Sequence, residues 1–412
     1  MASAVFVSGC DTLLGIGNPD IVDGSADAAA RPKDAASDST VVVSRDAPKE
    51  IGLTSDGSGS NRDTGSGTGS GSSSRSGSAS SGTGASDGGT TSTSTFSGST
   101  TGTSSASSSV SMPPPSCDKG GADTTKCGAT NQSCCTSPEV AGGTYDRTYT
   151  NTGGGATGEA DPSSVTGFRL DQYDVTVGRF RQFVNAWSNG YMPAAGAGKH
   201  THLNAGKGLL AVGADAGIAY EPGWATSDFA NIAPTDNNLA CDPQYASWTP
   251  SAGPKESLPI NCVNWAESYA FCIWDGGFLP SEAELEFALA GGSQQLEYPW
   301  GAATPGTTNE YAIYSGYYVG CIAPVGMASL GAGVWGQLDL VGNVYQWALD
   351  YYATPYVDPC VDCAYLAPST FRVLRGAYCF DQTGSDLNPA VRGNAYPANR
   401  NYGGGFRCAR TP

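Results

Sequence analysis

Residues 54–112 are built almost wholly of glycine, serine and threonine, with Phe96 as the single aromatic residue. Such a tract cannot bury enough apolar surface to offset the entropy of ordering it, so it reads as a disordered linker. As a random coil it would span about 40–45 Å. Its position constrains everything else, because material able to build a core lies C-terminal to it, roughly the last 270–290 residues. Residues 11–53 are polar apart from Val41-Val42-Val43, and Pro113-Pro114-Pro115 stiffens the exit from the tract. The expected organisation is an N-terminal segment over 1–53, a linker over 54–116, a cysteine-rich cap over 117–138 and one folded domain over 139–412.

The chain has thirteen cysteines. Without Cys10 the number is even, which suits disulfides in an oxidising compartment. Cys117, Cys127, Cys134 and Cys135 lie close together but lack the paired C-x-x-C spacing of zinc sites. Two disulfides stapling a small cap are therefore expected. Cys360-Val361-Asp362-Cys363 is a C-x-x-C with no βαβ pattern around it, which favours a structural bridge over redox chemistry. Val7-Ser8-Gly9-Cys10 matches a bacterial lipobox, whose cysteine is acylated. Lipobox, linker and cysteine-rich domain together predict export, with the protein lipid-anchored in the cell envelope or extracellular. No run is long and apolar enough to cross a membrane, so membrane contact would come through the lipid alone. A formal net charge of −17 argues against nucleic acid as a partner.

Within the folded part, Thr176 caps a helix whose Phe180, Phe183, Val184 and Trp187 fall on one face. Asn264 and Glu267, then Ser281 and Glu284, have capping-box spacing at the start of two further helices. Glu282, Glu284 and Glu286 suit the dipole of that last helix, and capping accounts for them without acid–base chemistry. The only histidines, His200 and His202, sit in a loop-rich stretch, where a solvated loop is expected rather than a metal site. The run Gly336-Gln337-Leu338-Asp339-Leu340-Val341-Gly342-Asn343-Val344-Tyr345-Gln346-Trp347 places a Gly-Asn turn ahead of buried aromatics. Asn tolerates positive φ well. Asp339, Gln346 and the carbonyls of the turn could hold a hard cation, or Asp339 and Asn343 could simply cap local backbone.

Asp-x-x-Gly-Asn-Val-Tyr-Gln-Trp resembles the D-x-x-G-N-V-W-E-W signature of the formylglycine-generating enzyme (sulfatase-modifying factor) family. Four further blocks agree in order. Leu279-Pro280-Ser281-Glu282-Ala283-Glu284 resembles R-L-P-T-E-A-E-W-E, and Tyr298-Pro299-Trp300-Gly301 matches Y-P-W-G. Arg372-Val373-Leu374-Arg375-Gly376-Ala377-Tyr378 is similar to R-V-x-R-G-G-S-W, and Gly405-Phe406-Arg407-Cys408-Ala409 matches G-F-R-C-A. The resemblance implies an α+β fold, loop-rich, with short twisted sheets and few helices, related to that of C-type lectins.

It also sets expectations about chemistry. The family enzyme converts a sulfatase cysteine to formylglycine with O₂ and copper(I) held by two thiolates, soft ligands suited to that ion. Carried onto this chain, the serine before the thiolates falls at Ala377, the first thiolate at Phe380 and the second at or near Ser385. A degenerate copper site follows. The expected role is binding or scaffolding, with a protein or glycan ligand. The alternative is an oxidase using Cys379, one residue out of register. Calcium is expected at the positions matching Asp339, Gly342, Val344 and Gln346, with Asn309 where the family places a second calcium loop. The resemblance further implies a disulfide between Cys272 and Cys408.

Overall fold

The computed structural model describes residues 113–118, 124, 126–213 and 219–412. Cys10, the lipobox and nearly all of the linker lie outside the described residues.

The fold is α+β, with three substantial helices and small sheets held together by long loops. The helix Val177–Ser188 starts where predicted, with the Thr176 hydroxyl accepting from the Arg179 N–H. Phe180 and Phe183 are buried, while Val184 and Trp187 pack at the edge of the core. Both predicted capping boxes are formed, at the helices Trp265–Trp274 and Glu282–Ala290. The latter helix is buried along its whole length, polar residues included, so it runs through the core rather than over it. It stops at Gly291, whose φ of 67° is the left-handed conformation that a residue without Cβ adopts at little cost.

A sheet of four strands lies beside these helices. Its order is Arg392–Ala395, Arg372–Arg375, Tyr345–Tyr351 and Gly404–Gly405. The first three are antiparallel neighbours and the last is parallel to Tyr345–Tyr351. The entry strand Glu139–Val140, Phe168–Leu170 and the closing Ala409–Arg410 form a second sheet. The hairpin of Gly143–Asn151 and Ala156–Val165 takes Cys360–Val361 as a third, parallel strand.

Aromatic rings fill the space between helices and C-terminus. Phe271 stacks on Phe180 at 5.7 Å and meets Phe406 edge-on at 5.4 Å. Beside them Cys272 and Cys408 are joined, with Cα atoms 5.4 Å apart, inside the span an unstrained disulfide needs.

The cap carries two disulfides, Cys117–Cys135 and Cys127–Cys134. It is fixed to the domain by Arg179, which is fully buried. Its guanidinium donates to Asp171 Oδ2 at 2.8 Å, Asp275 Oδ2 at 2.6 Å, Cys134 O at 3.2 Å and Ser116 Oγ at 3.0 Å. Ser116, assigned above to the linker, is therefore buried against the domain, and its N–H donates to Asp275. The packed chain begins earlier than composition suggests, because one arginine in the following helix recruits it.

The loop holding the two histidines also differs from expectation. His200 is fully buried rather than solvated. Nδ1 lies 2.9 Å from Glu221 Oε2 and Nε2 lies 2.9 Å from Glu284 Oε2. Burial alone would lower its pKa, but the two carboxylates outweigh burial and raise it to about 10, so the ring is an imidazolium at neutral pH.

Candidate functional site

Three features converge around the residues singled out by motif. The first is the turn. Asp339, Gly342 and Asn343 have φ of 53°, 82° and 63°, so the left-handed turn read from Gly-Asn is present. A Cβ at Gly342 would lie 2.6 Å from Ile313 O, which explains the glycine by close approach of backbone. The Asn343 amide brackets Ala323, accepting from its N–H at 3.0 Å and donating to its C=O at 3.1 Å. The Asp339 carboxylate accepts from the Gly326 N–H at 2.5 Å. Buried Arg407 reaches the same place from the segment between the strands Gly404–Gly405 and Ala409–Arg410. Nε donates to Gln346 Oε1 at 2.7 Å, and Nη2 donates to Asp174 Oδ1, Leu338 O and Asp339 O at 2.8–2.9 Å. Asn309 stands in another loop with φ 60°, its Oδ1 buried without a hydrogen-bond partner.

The second feature is the segment after the strand Arg372–Arg375. Ala377 is buried with φ 60°. Cys379 is buried too, bound in a disulfide to Cys321. Phe380 is half-buried among Tyr245 at 5.1 Å, Tyr378 at 6.1 Å and Tyr402 at 6.2 Å. Ser385 is exposed, with its hydroxyl 2.7 Å from that of Thr383.

The third feature is a cleft of about 580 Å³, within the range of small-ligand sites, into which Ser385 and Asp386 face alongside Thr148, Asn151, Tyr298 and Tyr356. Tyr356 lies between two guanidiniums, Arg147 at 4.3 Å and Arg392 at 4.0 Å from its ring centre. Arg392 grips Glu282 through two bonds of 2.7 Å, and Arg375 donates to Glu282 and Glu286. Burial pushes the Glu282 carboxyl up, but Arg392 and Arg375 outweigh it and hold the pKa at about 2. Glu286 has one oxygen without a partner, and burial prevails over Arg375, raising its pKa to about 7. Sequence reading assigned these glutamates to capping. Only Glu284 caps, while Glu282 and Glu286 face arginines about ninety or more residues away.

The model of the sulfatase-modifying factor enzyme 1-like domain matches residues 126–412. The chain belongs to this family. Among curated relatives, inactive C-alpha-formylglycine-generating enzyme 2 of Bos taurus is 33% identical over 186 residues, covering 40% of this chain and 56% of the relative. Formylglycine-generating enzyme of Mus musculus is 28% identical over 280 residues, covering 61% of this chain and 68% of the relative. The chain thus spans little more than half the length of the first of them. The solved structure of PvdO from Pseudomonas aeruginosa shares 21% identity at a TM-score of 0.44, over 66% of this chain and 93% of that one.

Against the family motif, the copper register needs one correction. Counting from Arg375-Gly376, which the motif shares, puts Tyr378 rather than Ala377 in the serine's place. The two thiolate places then fall on Asp381 and Asp386 instead of Phe380 and Ser385. Asp381 Oδ2 accepts from the Tyr378 N–H at 2.9 Å, and Asp386 Oδ2 accepts from Thr383 N–H and hydroxyl. Neither register supplies a thiol. Cys379, the shifted candidate for an oxidase of this family, is consumed by its bond to Cys321. Every cysteine among the described residues is disulfide-bonded.

Proposed function

We propose that this chain is an exported binding protein on the sulfatase-modifying factor fold, and that it does not oxidise a sulfatase cysteine. The observation that carries the reading is the Cys321–Cys379 disulfide, which takes Cys379, the cysteine next to the copper register in sequence, out of play. Copper(I) needs thiolates there, and carboxylates, phenylalanine and serine are poor substitutes for so soft an ion. Kinship with inactive C-alpha-formylglycine-generating enzyme 2 points the same way. The ligand, a protein or a glycan, would occupy the cleft beside Ser385 and the neighbouring ring cluster. Six disulfides support export. Anchoring through Cys10 is part of the proposal and is checked by labelling with a fatty-acid analogue in a Cys10→Ala pair.

The test is a copper(I) titration of the purified chain together with mass spectrometry of a cysteine-containing sulfatase peptide. Neither stoichiometric copper nor aldehyde product is expected. Formylglycine formed on the peptide, and lost in Cys379→Ala, would sink the reading.

A further inference from the structure

At the Gly336–Trp347 turn, Gln346 Oε1, Asp339 Oδ2 and the Asp339 carbonyl, oxygens that could face a calcium ion, are already answered by protein donors. Arg407 is fully buried and donates through all three of its nitrogens. Besides the contacts of Nε and Nη2, Nη1 donates to Asp171 O at 3.1 Å and Gln172 O at 3.2 Å. A guanidinium carries donors only, so the Gln346 oxygen must face Arg407. The Gln346 Nε2 is thereby aimed at Asp339 O and Leu340 O, 3.1 Å from each.

Arg407 belongs to the shared G-F-R-C-A block, so the residue that decides the matter is Gln346, where the family motif has glutamate. A carboxylate at this position would set a charged oxygen against two carbonyl oxygens, an arrangement that requires a cation. The amide places two N–H groups there instead and satisfies both carbonyls. Backbone contacts also hold the turn. The Asp339 carboxylate is held by the Gly326 N–H, and the Gly342 N–H is bonded to Gly376 O at 2.6 Å, fixing the turn from neighbouring backbone. Asp174 Oδ2 is buried without a partner, and a lone side-chain oxygen falls well short of the six to eight that calcium takes.

We propose that the Arg407 guanidinium and the Gln346 amide together stand in for the metal, so that this domain holds its signature turn without calcium. The clamp ties three separate parts of the chain, at Asp171–Asp174, Leu338–Leu340 and Arg407, through groups that neither dissociate nor respond to chelators.

The full chain is titrated with calcium chloride by calorimetry and melted in calcium and in chelator. No saturable binding up to about 1 mM and superimposable melts are expected. Saturable binding below that concentration, or a melting temperature raised by calcium, overturns the proposal. Gln346→Glu is the second arm. It should melt lower than the parent in chelator by more than about 5 °C and recover part of the loss in calcium. A Gln346→Glu chain that melts like the parent and ignores calcium would show that the amide contributes nothing to the clamp. Should that variant fail to fold, the parent titration still decides.

Discussion

Cys321 and Cys379 stand 58 residues apart in sequence, yet a disulfide holds their Cα atoms at 5.4 Å, directly behind Phe380. This bond ties the long loop before the signature turn to the segment where the family carries its thiolates. The same loop is also fastened by backbone, since the Ser315 and Gly316 N–H groups donate to Asp381 and Cys379 carbonyls at 2.8 Å. The site is thus braced where an enzyme would need a reactive sulfur. Maleimide treatment of the denatured, unreduced protein should label no cysteine between residues 117 and 408. A labelled Cys379 in the peptide map would contradict the structure and reopen the oxidase reading.

The bridge between Cys272 and Cys408 spans 136 residues, the longest separation of the six. In the loop-entropy model, constraining so large a segment of the unfolded chain contributes about 4–5 kcal/mol, less any strain in the folded state. Both sulfurs lie in the core, so the double variant Cys272→Ala/Cys408→Ala adds the cost of a cavity. Denaturant unfolding should show a loss of at least about 3 kcal/mol. An unchanged midpoint would mean that the bridge adds nothing to the packed core.

His200 should make the protein sensitive to alkali. Its pKa is raised in the folded state from 6.5 to about 10. The folded chain therefore holds this proton more tightly than the unfolded chain does. That contribution is complete below about pH 6.5 and is lost as pH rises through about 10. Replacement by phenylalanine would leave Glu221 and Glu284 buried without their cation, at a cost of about 3–5 kcal/mol near neutrality. Stability measured from pH 6 to 10.5 should fall in the parent and flatten in His200→Phe. Identical slopes would remove the imidazolium from the account.

Glu286 should act over a lower window. Its pKa is raised from 4.5 to about 7, chiefly by burial. A carboxyl with a raised folded pKa stabilises most below its unfolded pKa, and the contribution fades as pH climbs through about 7. Glu286→Gln keeps an acceptor for Arg375 and removes the titration, so its stability should depend less on pH between about 4.5 and 7. Parallel curves for parent and variant would show that the proton on Glu286 is not linked to folding.

Local rules written in the sequence set much of this molecule. Thr176, Asn264 with Glu267, and Ser281 with Glu284 mark three helix starts, because caps act within one turn of backbone. Gly342 and Asn343 mark the left-handed turn, because few other residues tolerate that φ. The family motifs fixed the α+β fold and the pairing of Cys272 with Cys408. What tertiary structure alone decided is where the charges go. Arg407 and Asp174 are 233 residues apart, Arg392 and Glu282 are 110 apart, and His200 and Glu284 are 84 apart. No periodicity or spacing links such residues: taken alone, Glu282 and Glu284 read as capping, His200 as part of a solvated loop and Arg407 as part of a shared motif. Packing brought them out of water, where a charge persists only beside its opposite, so burial chose the partners that local sequence could not name.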